Sequence, residues 1–239
     1  MADKVVPINP VIKHYNSEML NDLLRDLRQL PQMPYAEKKI YHTWITYFAD
    51  LSSNLSLFPC LRLKDGYALR AYVYSESEGM AGEGDGIVWA MPEHVSLPDI
   101  PKTLSSRPPG ALNNIMEAIE GDGSLWSFMC ASVFSRAMAD FGLSGHSLTL
   151  GIGYIIGNEF RQSSEEYTRL DDFEWHEPRP LNFDPEVKRE NNIITVTLYT
   201  YREYVPGKMT RFVDVYNHGN YCFERKESVI AEDGGSCYL

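Results

Sequence analysis

Basic residues are scarce in this chain: Lys and Arg total 22 against 33 Asp and Glu, a formal net charge of −11 over 239 residues. Neutralising a phosphate backbone takes clustered cations, and the sequence has no basic run, so nonspecific nucleic-acid binding is not expected. Long apolar runs are missing too. Nothing approaches the ~20 residues that span a bilayer, and Met1 to Pro10, with Asp3, Pro7 and Pro10, lacks the apolar centre of a secretion signal. The expectation is a soluble, acidic, cytoplasmic protein with no membrane partner.

Cysteine is sparse and dispersed. Cys60, Cys130, Cys222 and Cys237 form no C-x-x-C pair, so neither a zinc ribbon nor a redox dithiol of that motif is expected, and separate reduced thiols are. Cys237 lies one residue too near the final Leu239 for a prenylation box. No G-x-S-x-G elbow occurs, and the glycines at 79, 82, 84 and 86 lack the Lys-Ser/Thr ending of a phosphate loop. Gly151, Gly153 and Gly157 sit inside and just after an apolar run rather than between a strand and a helix, which does not suit dinucleotide binding. The acidic stretch Glu76, Glu78, Glu83, Asp85 and Glu93 is without the D-x-D-x-D-G spacing of a calcium loop. No cofactor is implied, and no repeat of fixed period is present.

What is present suits a folded domain: hydrophobic residues make up 44% and charged residues 23%, enough to bury a core without metal or disulfide staples. Asn16 or Ser17 can cap a helix carrying Met19, Leu20, Leu23, Leu24, Leu27 and Leu30 at three- and four-residue steps. From Pro34 the residues Ala36, Ile40, Trp44, Tyr47, Phe48 and Leu51 predict a second helix, the two forming a hairpin. Leu57 to Tyr74, punctuated by Lys64-Asp65-Gly66, reads as a β-hairpin, and a short apolar run follows at Ile87 to Met91. Five prolines between Pro92 and Gly110 predict a long connection and a candidate domain boundary. Ala111 to Glu120 suits a short helix.

Ser124 then caps a stronger helix with Trp126, Met129, Cys130, Val133, Phe134, Ala137, Met138 and Phe141 on one face, ended by Gly142. Its other face is small, with Ser127, Ala131, Ser135 and Ala139, so burial on both sides is expected. His146 to Ile156 reads as a strand whose glycines call for close backbone approach, for which the small helix face is the expected partner. Asn158 to Asn192 is polar and predicts a loop with at most a short strand. Ile193 to Tyr204, Lys208 to Tyr216 and Tyr221 to Ile230 predict a meander, with turns at Pro206-Gly207 and at Asn217 to Asn220. The expected fold class is α+β, a mainly antiparallel sheet with helices packed on one face, in a single domain over 1–239 with 92–110 as its candidate internal boundary.

Two constellations could carry function. In an extended chain Asp172, Glu174 and His176 point one way and Phe173 and Trp175 the other, so two carboxylates and an imidazole could hold a metal that activates water, or act as acid and base. The plainer alternative is an edge strand that buries its aromatics and solvates its polar side. His14, His42, His94 and His218 are scattered and suit ordinary hydrogen-bonded or solvated roles. The second constellation is tyrosine, which totals 15. Along the strand from Ile193, alternation sends Ile194, Val196 and Leu198 inward and Thr195, Thr197, Tyr199, Tyr201 and Glu203 outward. Tyrosine favours recognition surfaces, and it is also a good strand former. The leading expectation is a non-enzymatic protein that binds a protein partner, a basic one suiting its charge, through Tyr199, Tyr201, Glu203 and acidic loops. The alternative is a metal-assisted hydrolase built on Asp172, Glu174 and His176.

Overall fold

The computed structural model describes residues 10–29, 38–41, 44–75, 84–95, 107–143, 153–160, 170–203, 206–217 and 219–233. In chain order the elements are β1 (Val11–His14), α1 (Ser17–Gln29), β2 (Lys38–Tyr41), β3 (Trp44–Asp50), β4 (Leu61–Leu63), β5 (Tyr67–Ser75), β6 (Gly84–Pro92) and β7 (Ile119–Gly121). There follow α2 (Leu125–Ala139), β8 (Tyr154–Ile156), β9 (Phe173–Trp175), β10 (Glu186–Glu190), β11 (Ile193–Arg202), β12 (Lys208–Asn217) and β13 (Phe223–Asp233). The architecture is mostly antiparallel sheet with few helices. A seven-stranded sheet runs β1-β10-β11-β12-β13-β9, with β8 added to β11; a four-stranded sheet runs β2-β3-β5-β6; β4 and β7 form a small pair.

The C-terminal meander forms as its turn chemistry and β-branched residues predict, β11 pairing β12 from Ile193↔Asn217 to Arg202↔Lys208 and β12 pairing β13 beyond it. Ile194, Val196 and Leu198 are fully buried on one side. Against that side lies α2, whose cap is the expected one: the Ser124 hydroxyl oxygen accepts from the Ser127 amide at 3.1 Å. Residues 127–134 are buried without interruption, so the helix is enclosed all round. It touches β10 and β11 of the larger sheet and also β6 and β4, and one core joins Phe128, Val133 and Phe134 to Leu69 and Val88 as well as to Val196 and Phe212. That core draws on residues from both sides of the Pro92 to Gly110 stretch, of which 96–106 lie outside the described residues.

Several polar groups inside this core are paired, while the Tyr15 hydroxyl and Arg136 Nε have no hydrogen-bond partner among the described residues. The Tyr216 hydroxyl bonds Ser132 at 2.7 Å, and Ser127 meets the Tyr221 hydroxyl at 2.6 Å. Asp214 on β12 is wholly buried, and it accepts from Arg136 of α2 at 2.7 and 3.3 Å and from Arg225 of β13 at 2.9 and 3.4 Å. Arg136 also donates to the Ser132 carbonyl at 2.8 Å and lies over the Phe212 ring. Burial pulls the Arg136 guanidinium below its ordinary range, and the Asp214 carboxylate opposes that pull.

Several sequence expectations are corrected. The stretch from Pro34 to Leu51 is not helical: it gives β2 and β3, and β3 pairs β5 with Phe48↔Tyr72 and Ala49↔Ala71. Trp44 to Phe48 is rich in aromatic and β-branched residues, and sheet pairing overrides the helical spacing of its apolar positions. The helical hairpin goes with it. The strands on either side of Lys64-Asp65-Gly66 exist but do not pair with each other; β4 pairs β7, while β5 joins β3 and β6. Gly66, at φ 81°, turns the chain out of one sheet and into another.

Ala111 to Glu120 gives a short 3₁₀ turn at Ile115–Ala118, closed by reciprocal Asn114 and Glu117 bonds, and then β7. The polar stretch from Asn158 to Asn192 holds a full strand, β10, between β1 and β11. Gly153, at φ 75°, does allow close approach, but of a different backbone: a Cβ there would lie 2.2 Å from the Tyr201 carbonyl oxygen on β11. The start of the expected strand, His146 to Leu150, lies outside the described residues, as does the acidic stretch from Glu76 to Glu83.

Asp214→Asn leaves Arg136 buried beside a neutral amide. Removing one partner of a buried ion pair costs about 3–5 kcal/mol; urea denaturation of this variant is expected to show a loss of that size, and a change under 1 kcal/mol would refute the role given to the cluster.

Candidate functional site

The sheet's second face, opposite α2, carries the outward residues of β11. At the β8 and β9 end it is covered. Phe160, Leu170, Phe173 and Phe183 fold over it and make a second core with Ile156, Tyr201, Met209, Ile230 and Ala231. Tyr201 is 4% exposed; its ring meets Phe160 at 5.3 Å and Phe173 at 5.8 Å, and its hydroxyl donates to Asp233 at 3.0 Å. Tyr199 is half-buried, with Phe183 edge-on at 5.3 Å. The expectation that both rings look into solvent is therefore corrected: alternation did send them to the outer side, and a distant segment covers that side. Glu203 is exposed.

The Asp172, Glu174 and His176 set is spread out. Leu170–Asp172 is a 3₁₀ turn, so Asp172 is off the extended stretch that was to align the three. β9 is an edge strand on β13, with Phe173 buried and Glu174 and His176 exposed. His176 stands 3.9 Å from Glu232, which also takes an ion pair from Lys208 at 2.9 Å. Lys208, first, and His176 draw the Glu232 carboxyl below its ordinary range. Among the described residues no group of three His, Cys, Asp or Glu side chains is placed to hold a metal ion.

The rest of the outer face is open. The register sets Ile12, Lys188, Thr195, Val215 and Glu224 in one row across five strands, and His14, Glu186, Thr197, Val213 and Lys226 in the next. Its centre is β-branched and half-buried, and its charges alternate in sign, with Lys188 on Glu190 at 2.6 Å and His14 by Glu186 at 3.7 Å. Two apolar side chains of this face come to the surface near the β1 corner, Ile12 at 49% exposed and Ile193 at 50%, while Val11, 54% exposed, is in register with Arg189 and Ile194 and belongs to the other face. The same corner is a sheet edge, since β1 pairs β10 on one side and no other strand among the described residues on the other. Sequence reasoning missed this corner because Val11 to His14 is too short to show a period; the signal available was two adjacent β-branched residues just before the Asn16 cap, which accepts from the Met19 amide at 2.9 Å.

No protein-family model matches this chain, and no curated protein or solved structure matches it either.

Burial governs the titration of four phenols. It pushes Tyr15 up to about 12 and raises Tyr154, Tyr199 and Tyr216, so the folded chain holds their protons above the ordinary value of 10.0. A raised folded value means stability that is full below about pH 10 and drains away as pH climbs towards 12 and beyond. Phenolate absorbance is expected to show these four ionising late and together with unfolding; reversible ionisation of every tyrosine near pH 10 would contradict the packing.

Proposed function

We propose that this chain is a non-enzymatic binding protein that holds an extended segment of a basic protein partner along the open edge of β1. The observation that carries the reading is the coincidence of a strand edge, unpaired among the described residues, with exposed Ile12 and Ile193 on the outer face beside it. An edge strand offers unpaired backbone groups to an incoming strand, and alternate side chains of that strand would rest on the apolar corner. Exposed apolar residues gathered at one place mark interaction surfaces more often than scattered ones do.

The charge acts at longer range. A net charge of −11 attracts a basic partner and speeds encounter, while the corner itself is nearly neutral and takes its affinity from backbone pairing and apolar contact. On this reading Tyr199 and Tyr201 brace the sheet instead of touching the partner, and Glu203 adds to the field. Residues 1–239 act as one unit, in the cytoplasm. The hydrolase alternative would need Asp172, Glu174 and His176 to share one ion, and no observation favours it.

An extended peptide alternating Val and Lys, titrated against the full chain by fluorescence anisotropy, tests the edge. Saturable binding is expected, weakened by added salt and by at least ~10-fold in the Ile12→Asp, Ile193→Asp double variant, as for loss of central apolar contacts. Equal binding by the double variant and the parent chain would overturn the assignment, as would the absence of binding at low salt.

A further inference from the structure

The chain contains four Asp-Gly steps, at Asp65, Asp85, Asp122 and Asp233. In such a step the glycine backbone nitrogen can attack the aspartyl side chain, because no Cβ on the following residue stands in the way. The fold treats the four differently. Asp65 and Gly66 form the exposed turn between β4 and β5, closed by the Tyr67 amide donating to the Lys64 carbonyl at 3.2 Å. Gly66 stands at φ 81°, with nothing within 4 Å of the place a Cβ would take. Among the described residues the Asp65 carboxylate has no hydrogen bond or ion pair, and the Gly66 amide donates to no acceptor. Nucleophile and electrophile therefore sit side by side with no bond to give up.

Asp122-Gly123 is the matched case that the fold holds back. Gly123 has the same open, left-handed geometry, at φ 76°. Its amide, however, donates to the Tyr221 hydroxyl at 3.0 Å, and the Asp122 carboxylate accepts from the Ser124 amide at 2.9 Å. Asp85-Gly86 lies inside β6, in register with Tyr74 and Val73, and a Cβ at Gly86 would come 2.5 Å from the Phe141 carbonyl oxygen. At Asp233 both carboxylate oxygens are taken, one by the Tyr201 hydroxyl at 3.0 Å and the other by the Gly207 amide at 2.6 Å; Gly234 lies outside the described residues. We propose that Asp65 is a site of spontaneous isomerisation, converted through a cyclic imide to an isoaspartyl residue that a carboxyl methyltransferase specific for that linkage can recognise.

The chemistry needs only water. The Gly66 nitrogen attacks Cγ of the protonated Asp65 carboxyl; the N–Cγ bond forms, the Cγ–OH bond breaks, and the amide proton leaves with the hydroxyl as water. Water then opens the imide. Attack at Cγ breaks the new N–Cγ bond and restores Asp65. Attack at the main-chain carbonyl carbon of Asp65 breaks its bond to the Gly66 nitrogen, and the chain afterwards runs through Cβ and Cγ. One water leaves and one returns, and nothing is oxidised or reduced. The product has a backbone longer by one carbon at the turn that passes the chain from the β4 and β7 pair to the four-stranded sheet, with a carboxylate directly on Cα. The Gly66 carbonyl, which accepts from the Glu93 amide at 2.9 Å, takes no part in the ring.

Prolonged warm incubation of the full, folded chain in mildly acidic buffer tests the site, read by peptide mapping and by methyl transfer from S-adenosylmethionine with an isoaspartyl-specific methyltransferase. The expected product is a peptide spanning Asp65 and Gly66 that keeps the parent mass, elutes apart from the parent and accepts methyl, preceded by an imide lighter by one water. It accumulates at least ~10-fold faster than the corresponding product at Asp122, where two hydrogen bonds must break first. In concentrated urea the difference between the two sites disappears, since the fold creates it. Asp65→Glu removes methyl acceptance at this position, because the longer side chain would have to close a larger ring. Equal rates at Asp65 and Asp122 in the folded chain, a difference that survives in urea, or no isoaspartate at Asp65 in the folded chain would each overturn the proposal; the parent-chain map decides this even where the variant fails to fold.

Discussion

The buried carboxylate of Asp214, gripped by Arg136 and Arg225, is the constraint on which the larger architecture depends. It fixes the rotation of α2 about its own axis, because a charged side chain sealed from water has to end on its counter-charge. Apolar packing alone would leave that rotation loosely set, since α2 is apolar or small on every side. With Arg136 tied down, Ser127 and Ser132 fall opposite Tyr221 and Tyr216. One ionic contact thus orients a helix that is shared between the larger sheet and the strands β4 and β6.

The two faces of the larger sheet are used unequally. The α2 side is closed along the meander. The outer side is closed at one end, where Phe160, Phe173 and Phe183 cover Tyr201, and open at the other, where Thr195, Thr197, Val213 and Val215 remain half-exposed. Antiparallel sheets commonly leave one face to solvent, and here Ile12 and Ile193 are exposed on that face towards the β1 edge. The covered end is rigidified by aromatic rings and by the Tyr201 bond to Asp233, so the open end is presented from a firm base.

Legibility in the sequence followed locality. α2 could be read because its cap, its period and its closing glycine lie within one window, and the three meander strands because turn residues separate β-branched runs. β2 and β3 were misread because a helical spacing of apolar residues occurred in a stretch whose partner, β5, lies beyond the next turn. β10 was hidden because Val187 is its one apolar residue and its neighbours are charged. Site residues were harder still: Tyr201 does alternate outward, yet Phe160, Leu170, Phe173 and Phe183, distant in sequence, cover it.

The pairing of β1 with β10 also bears on how the molecule is made. A ribosome releases Val11 to His14 first, but their place in the sheet exists only after Glu186 to Glu190 has been synthesised, and the meander that supports β10 emerges later still. The first strand of this sheet must therefore wait, undocked, until β10 has been made, and the sheet is completed from its later-made members back to its first.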